Sequence, residues 1–520
     1  MNRNNQLRSA EAAIAPTWPV IEGQAASSSC EEPARQSATH KFIRDVAFSN
    51  LPVPFQKLRT YLWLVVLTRA LGPAGFGAWS LFVVTLSTAT TVSTMNCGSS
   101  LMRFLSGERS RNEVNQAFST VLAMVAGAGV IMAGVFAVFP RRIAGGIFGS
   151  VHASSLVVLL GVVLIFESAF EEMKNLLRAR RFNQSWAYFC FARLLPETVA
   201  VIAIAWWLKS VNAAAFAYAV VTVCSVAGGM LYLKMRRKVR LVRPSMHLFS
   251  KYARYGLPLL PGVFASTVSL GADKYVVSYY LGLKQVGIYG ACFALSALVF
   301  FLTGPINDVL FPELSALHDM ERWAMFRQRF RSVQKFVFGF ACGAAAILAA
   351  FSRQVLTIVA PAEFASGRAT LAVLGVQGIF MALVLLYIVI LNTRLRVWLT
   401  TWFWVLSGAA IILLDVVLIP PMGIVGAALS QLIATAGGAL VLVVMHWDLF
   451  RETFDVAWLA QNGFAFAIVW LVAFACKGHP GSSALGLLQI AAGGAAFVMC
   501  LFVTGYLTLR NVAKLAKCIA

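Results

Sequence analysis

Charge is scarce in this chain. Only 12% of its 520 residues are Asp, Glu, Lys or Arg, and the acids are the scarcer sign, 21 against 43 Lys plus Arg. A soluble domain of this size needs far more polar surface, so a water-soluble fold is excluded. Chemistry-bearing motifs are missing too. There is no GxxxxGK[ST] loop, which excludes ATP hydrolysis of the P-loop kind, and neither HExxH nor GxSxG occurs. The nine cysteines form no CxxC and no Cys/His ligand spacing, and most stand inside apolar runs (Cys97, Cys190, Cys224, Cys292, Cys342 and Cys500). They read as small buried hydrophobes, not as disulfides or a metal site. No cofactor, no metal and no catalytic residue is expected.

What the chain does have is apolar length. Hydrophobic residues make up 59% of it and the mean hydropathy is +0.76. Runs long enough to cross a bilayer fall at about 48–71, 76–101, 114–139, 151–171, 186–208, 212–233, 256–282, 286–310, 332–352, 369–392, 397–419, 422–446, 461–476 and 484–508. The expectation is an all-α polytopic membrane protein of about fourteen transmembrane helices. Residues 1–40 are polar, with Pro16, Pro19, Pro33 and the Ser27–Ser29 run, and carry no apolar core before a cleavage site. They are expected to form a disordered cytoplasmic tail.

The loops orient the spans. With both termini in the cytoplasm, the inner segments carry 31 of the 43 Lys plus Arg and the outer ones 8. This is a strong positive-inside asymmetry. It accounts for the pI of about 10.0 without nucleic acid, because anionic inner-leaflet lipid is a sufficient partner. No outer segment is long enough to hold an extracellular active site, which weighs against a membrane enzyme such as a polysaccharide polymerase.

An internal match divides the chain. Leu71–Gly72 with Gly77 and Trp79 recurs as Leu281–Gly282 with Gly287 and Tyr289, 210 residues later. Six spans lie between, so the copies share one orientation, as in a parallel repeat. The expected organisation is a tail (1–40), a six-helix bundle (41–233), a basic cytoplasmic linker (234–255), a second six-helix bundle (256–447) and two further helices (448–520). The seventh span carries Asp273 and Lys274, about 13 Å below its outer end by helical rise. Charges at that depth mark a water-filled cavity or pathway, or else a buried ion pair that fixes packing.

Four stretches resemble one family: TRALGPAGFGAWSL after the first span, ADKYVVSYYLGLKQVGIYG in the seventh, GPINDVLFPELSAL, and MGIVGAALSQLIA in the twelfth. They are similar to the polysaccharide-unit flippases of the multidrug/oligosaccharidyl-lipid/polysaccharide exporter superfamily, over residues 42–450 or so. The resemblance implies two bundles in a V, as in flippases and multidrug exporters. It also implies movement of an undecaprenyl-diphosphate-linked oligosaccharide across the bacterial inner membrane by ion-coupled alternating access, for a polysaccharide polymerase to use. A drug or metabolite exporter is the alternative within the superfamily.

A diphosphate headgroup calls for cations that water can reach, and the candidates are Arg193, Lys274, Arg59 and Lys57. Each has a plainer reading: Glu197 at i+4 can neutralise Arg193, and Lys57 and Arg59 can snorkel from a helix flank. For coupling to a proton or sodium ion, Asp273, Glu197 and Glu167 are the intramembrane carboxylates of choice. Asp415, beside Pro420–Pro421, reads as a helix-end residue.

Overall fold

The computed structural model describes residues 51–107, 110–395, 397–475 and 483–506. These belong to one compact unit that begins at Ser49. The tail at 1–40 lies outside the described residues. Helices account for nearly all of them, and among the described residues there is no strand.

In the first half, α1 (Pro52–Thr94), α2 (Cys97–Leu105), α3 (Arg111–Val138) and α4 (Pro140–Phe148) precede α5 (Ser154–Ala179), α6 (Asn183–Leu208) and α7 (Val211–Arg236). A linker helix, α8 (Met246–Gly256), leads to α9 (Leu260–Ser269), α10 (Ala272–Ser296), α11 (Thr303–Asp319), α12 (Trp323–Ala350) and α13 (Ser352–Val359). The chain continues through α14 (Arg368–Thr393), α15 (Val397–Met422), α16 (Ile424–Met445), α17 (Trp447–Thr453), α18 (Val456–Ala475) and α19 (Ser483–Val503). Among the described residues, eleven helices are long and apolar enough to cross a membrane, or twelve if the bent pair around Gly271 is one span. The expected fourteen are not counted this way, because the two arms on either side of each of two sharp breaks count as one helix.

Those breaks are hairpins. Helix α1 has 43 residues, which would stretch to about 64 Å if straight, twice a bilayer core. At Gly72 the backbone turns to φ 67°, ψ −177°, a region that L-residues avoid. Trp63 and Trp79 then meet edge to face at 5.4 Å, where a straight helix would hold them about 24 Å apart. Gly282 (φ 78°, ψ 174°) does the same in α10, and the Tyr289 hydroxyl returns to the Asp273 carboxylate. Trp63/Trp79 and Asp273/Tyr289 are the same two positions of the 210-residue repeat.

The two hairpins pack on each other through their glycines. A Cβ on Gly77 would fall on the Leu283 carbonyl, and one on Gly287 would fall on the Pro73 carbonyl. Because Pro73 and Leu283 are also repeat equivalents, the contact is reciprocal about a local two-fold. Flanking bonds keep the pattern: Arg69 Nη2 donates to the Ile358 carbonyl at 2.7 Å, and Ser278 Oγ donates to the Ile147 carbonyl at 2.9 Å. Each acceptor lies on the short amphipathic helix of the opposite half, α13 or α4.

The linker is tied down rather than free. Asn115 Oδ1, Ser119 Oγ and Thr120 Oγ1 of α3 accept the backbone N–H groups of Arg240, Val242 and Ser245 at 2.9–3.0 Å. Helix α8 then packs on α2, with Phe104 edge-on to both Tyr252 and Tyr255. Helices α18 and α19 join through a second apolar core on α12, where Gly339 takes the ring of Tyr506 and Gly343 the ring of Phe497.

Gly287→Val forces a side chain into that glycine contact. Overpacking of a close contact costs about 1–3 kcal/mol, so the thermal midpoint in detergent is expected to fall, and Gly77→Val to do the same. An unchanged midpoint in both would show that the hairpins are not held by this contact.

Candidate functional site

Four of the seven residues singled out from the sequence come together in the first half. Helix α1 supplies Arg59, α5 supplies Glu167, and α6 supplies Arg193 and Glu197 one turn apart. The Arg193 guanidinium is fully used. Its Nη1 and Nη2 donate to the two oxygens of Glu167 at 3.0 and 2.5 Å, and its Nε donates to Glu197 Oε2 at 2.7 Å. Nη2 also reaches the Tyr218 hydroxyl at 2.9 Å, which itself donates to Glu167 at 3.0 Å. The ring of Phe170 lies 4.6 Å from the guanidinium carbon. Glu197, with no exposed surface, takes its second partner from Arg59 Nη1. The result is a chain, Glu167–Arg193–Glu197–Arg59, in which two carboxylates compensate two guanidinia.

The two arginines differ in access. Arg193 is buried among its partners, whereas the Arg59 side chain is 25% exposed and lies over Trp63 at 4.5 Å. Arg59 lines a cavity of about 390 Å³ between α1, α2 and α5, and Arg193 does not. The volume is within the ordinary range of small-molecule sites. Glu167, Glu171 and Glu172 share its wall with Trp63, Thr90 and Asn175. Lys174 closes on Glu171 at 2.7 Å. The cavity lies at the end of the bundle that carries the basic loop residues Lys174, Arg178, Arg180 and Arg181. Lys57 is exposed on the first turns of α1 and lines none of this space.

Asp273 and Lys274 belong to the other half. They are both buried but form no side-chain ion pair. Asp273 Oδ1 accepts the backbone N–H of Lys274 at 2.8 Å, while the Lys274 ammonium sits 4.8 Å from the centre of the Phe293 ring. Asp273 Oδ2 accepts from Tyr289 and, at 3.2 Å, from Gln431 Nε2. The second acid of this cluster is Asp415, expected from its sequence neighbours at a helix end. It has no exposed surface, and Asp273 is near enough for the two charges to repel. The Ser430 hydroxyl lies beside Asp415 and donates to the Gly426 carbonyl at 3.1 Å. Among the described residues no group of three or more His, Cys, Asp or Glu side chains is arranged to hold a metal ion.

Sequence reasoning missed Trp63, Thr90, Tyr218 and Glu172. A signal existed for the cavity wall, because Glu167, Glu171 and Asn175 follow one another at i, i+4 and i+8 on one face of α5. No such pattern announces Asp415, which meets Asp273 only through the packing of α15 on α10.

Removing one member of the ion chain exposes its energetics. Arg193→Gln leaves Glu167 and Glu197 without their main partner and is expected to cost about 3–5 kcal/mol. The double variant Arg193→Gln/Glu167→Gln is expected to cost less than the single one. Thermal midpoints of the purified variants check this, and additive losses would show that the pair is not coupled.

The comparisons with known proteins agree with this architecture. A lipid II flippase, MurJ, in an inward closed conformation, superposes with a TM-score of 0.69 at 14% identity, covering 89% of this chain and 98% of its own. An inward-facing multidrug resistance MATE transporter of the MOP superfamily gives 0.60 at 13% identity over 79% of this chain and all of its own. The MATE multidrug transporter DinF-BH, in a ligand complex, gives 0.59 at 14% identity over 84% of this chain and 100% of its own. These likenesses establish a MurJ/MATE-like fold. No curated protein matches the chain by sequence. The model of the polysaccharide biosynthesis protein family matches residues 43–318, more than half the length and including the whole of both glycine hairpins. The chain is a multi-pass membrane protein and a member of the polysaccharide biosynthesis protein family, with the fold of flippase-type transporters.

Proposed function

We propose that the protein moves an undecaprenyl-diphosphate-linked oligosaccharide from the cytoplasmic to the outer leaflet of a bacterial inner membrane, with both termini cytoplasmic. The observation that carries this reading is Arg59: a guanidinium held by Glu197 and Trp63, partly exposed on the wall of a 390 Å³ cavity at the basic end of the bundle. A diphosphate arriving there meets a cation already oriented, with donors left over for phosphate oxygens. Arg193 stands behind it, one carboxylate away, and its charge becomes available as Glu197 and Glu167 exchange partners. The polyprenyl chain stays in lipid, and the unit delivered is the substrate of a polysaccharide polymerase on the far side. Transport, not covalent chemistry, is the activity.

The driving ion, a proton or sodium, is assigned to the other half. Asp273 and Asp415 form a buried acid pair whose only charged neighbour on the same turn, Lys274, is turned to Phe293. Changing the occupancy of that pair changes the charge buried where the two hairpins meet, and so biases the rocking of the halves. Anionic inner-leaflet lipid holds the basic loops.

One observation favours a second reading. Three glutamates line the cavity, and a cationic drug or metabolite would suit them.

A strain lacking the gene distinguishes the two. Under the flippase reading, labelled lipid-linked repeat units accumulate on the cytoplasmic leaflet and surface polysaccharide is lost. Arg59→Ala fails to restore export at normal protein level, and Asp273→Asn or Asp415→Asn abolishes the response to an imposed ion gradient. Intact polysaccharide with altered sensitivity to cationic drugs would transfer the protein to the second reading.

A further inference from the structure

The break between α1 and α2 is held from outside. Met95 and Asn96 both have left-handed backbones, with φ of 47° and 54°. Asn tolerates that region, but Met rarely enters it, and two such residues in succession are rarer still. Ser99 Oγ donates to Asn96 Oδ1 at 2.9 Å, within the break. The other contacts come from the linker helix α8. Ser100 Oγ donates to the Tyr252 carbonyl at 3.1 Å, and a Cβ on Gly256 would stand 2.6 Å from the Met95 carbonyl oxygen. Asn96 and Ser99 also line the cavity, so the break is part of its wall.

Helix α8 is continuous with the second half. The backbone stays right-handed helical from Met246 through the turn Leu257–Leu259 to Ser269, so α8 and α9 form one rod. Further along this rod the Thr267 hydroxyl meets that of Thr91, on the second arm of α1, at 3.5 Å. A displacement of the rod is therefore felt at Met95.

The rest of α8 looks outward. At about 100° per residue its side chains fall into three stripes. Tyr252 and Gly256 are buried against α2 and its break. Met246 and Phe249 stand exposed on an adjoining edge. His247, Lys251 and Arg254 make the third stripe and are also exposed. No Asp or Glu occurs between Glu197 and Asp273, so no acid on neighbouring segments of the chain neutralises it. An apolar edge beside a cationic stripe suits a helix lying in an anionic membrane surface. A nucleic acid or an acidic protein would match the charge but gives Met246 and Phe249 no apolar phase to enter. The position fits too, because α7 ends at Arg236 and the rod re-enters the bundle as α9, which sets α8 level with the ends of the spans.

We propose that α8 is a strap seated in the membrane surface by anionic phospholipid, and that the seated strap holds the Met95–Asn96 break in its left-handed form. Lipid charge then sets the stiffness of one wall of the cavity. The inference extends to one helix the reading that anionic lipid holds the basic loops, and it is independent of what the protein carries. Anionic lipid favours the seated strap and so favours the bent wall, by differential binding to the two states.

The test is hydrogen exchange, read by mass spectrometry, on the full-length protein in nanodiscs of phosphatidylcholine with and without phosphatidylglycerol. The anionic lipid is expected to slow exchange in 246–256 and in 92–100 together, each at least about fivefold, the weight of one cation at such a surface. Lys251→Gln/Arg254→Gln is expected to remove most of both effects. Ser100→Ala leaves the outward stripes intact, so it is expected to keep the slowing in 246–256 and to cut that in 92–100 at least about threefold. Equal exchange in the two lipids would unseat the strap. Slowing of 246–256 with 92–100 unchanged would remove its hold on the break. Slowing confined to 237–245 would leave the lipid-held loops standing and overturn the strap. If the double variant does not fold, a benzophenone side chain placed at position 249 serves: crosslinking to phospholipid is expected, and its absence counts against the proposal.

Discussion

The packing of Gly77 on Gly287 governs much of this molecule. At that point two backbones touch with no side chain between them, and every nearby group of the two halves is placed relative to it. In lipid there is little hydrophobic gain in bringing helices together, so close van der Waals contact between small residues holds them instead. The hairpins at Gly72 and Gly282 are what bring the two glycines to the same place, since each returns its chain along the arm it came from. Because the contact is reciprocal, the bonds around it come in pairs: Arg69 to Ile358 and Ser278 to Ile147. Around the glycines the seam is filled by a continuous apolar core, with Phe76 edge-on to Phe364 at 6.4 Å. The end that carries the linker is held by different means, with α8 packed on α2 and the linker hydrogen-bonded along α3.

The repeat explains why the two functional clusters are unlike in chemistry yet alike in position. Trp63 and Asp273 are equivalent, as are Trp79 and Tyr289. In the first half the hairpin holds an aromatic pair, and Arg59 lies on its outer surface, turned to the cavity. In the second half the same positions hold an acid and a phenol, turned into the protein towards Gln431 and Asp415. One architecture thus presents a cation to a wet cavity on one side and hides an acid pair on the other. An anion and a small cation would then act on opposite faces of the same seam, and each would alter the charge beside the glycine contact.

The fold is largely legible because membrane insertion leaves a one-dimensional record. Span length, loop charge and the 210-residue echo of Leu71–Gly72 are all local signals, and the hairpins fall where the paired glycines stand. Legibility ends where side chains from distant segments meet. Glu197 at i+4 from Arg193 is visible on one helix, but the share taken by Glu167, 26 residues away, and by Arg59, 138 residues from Glu197, depends on tertiary packing. The adjacent pair Asp273–Lys274 suggests a cavity charge or an ion pair. The helix instead sends neighbouring side chains about 100° apart, so the acid meets Tyr289 and Gln431 while the ammonium meets Phe293. Asp415 takes its sequence reading from Pro420 and Pro421, whereas its environment is set by α10 and α16.

Under the flippase reading, charge compensation also changes what a phosphate-binding cavity looks like. A bare cluster of arginines would be costly to bury in a bilayer and would hold a diphosphate too firmly to release it. Pairing each guanidinium with a carboxylate lowers both the cost and the grip, because a headgroup must compete with Glu197 for Arg59. Release follows when the carboxylate takes the guanidinium back. Under the flippase reading, the arginine chain would thus set whether an anionic headgroup is held or released.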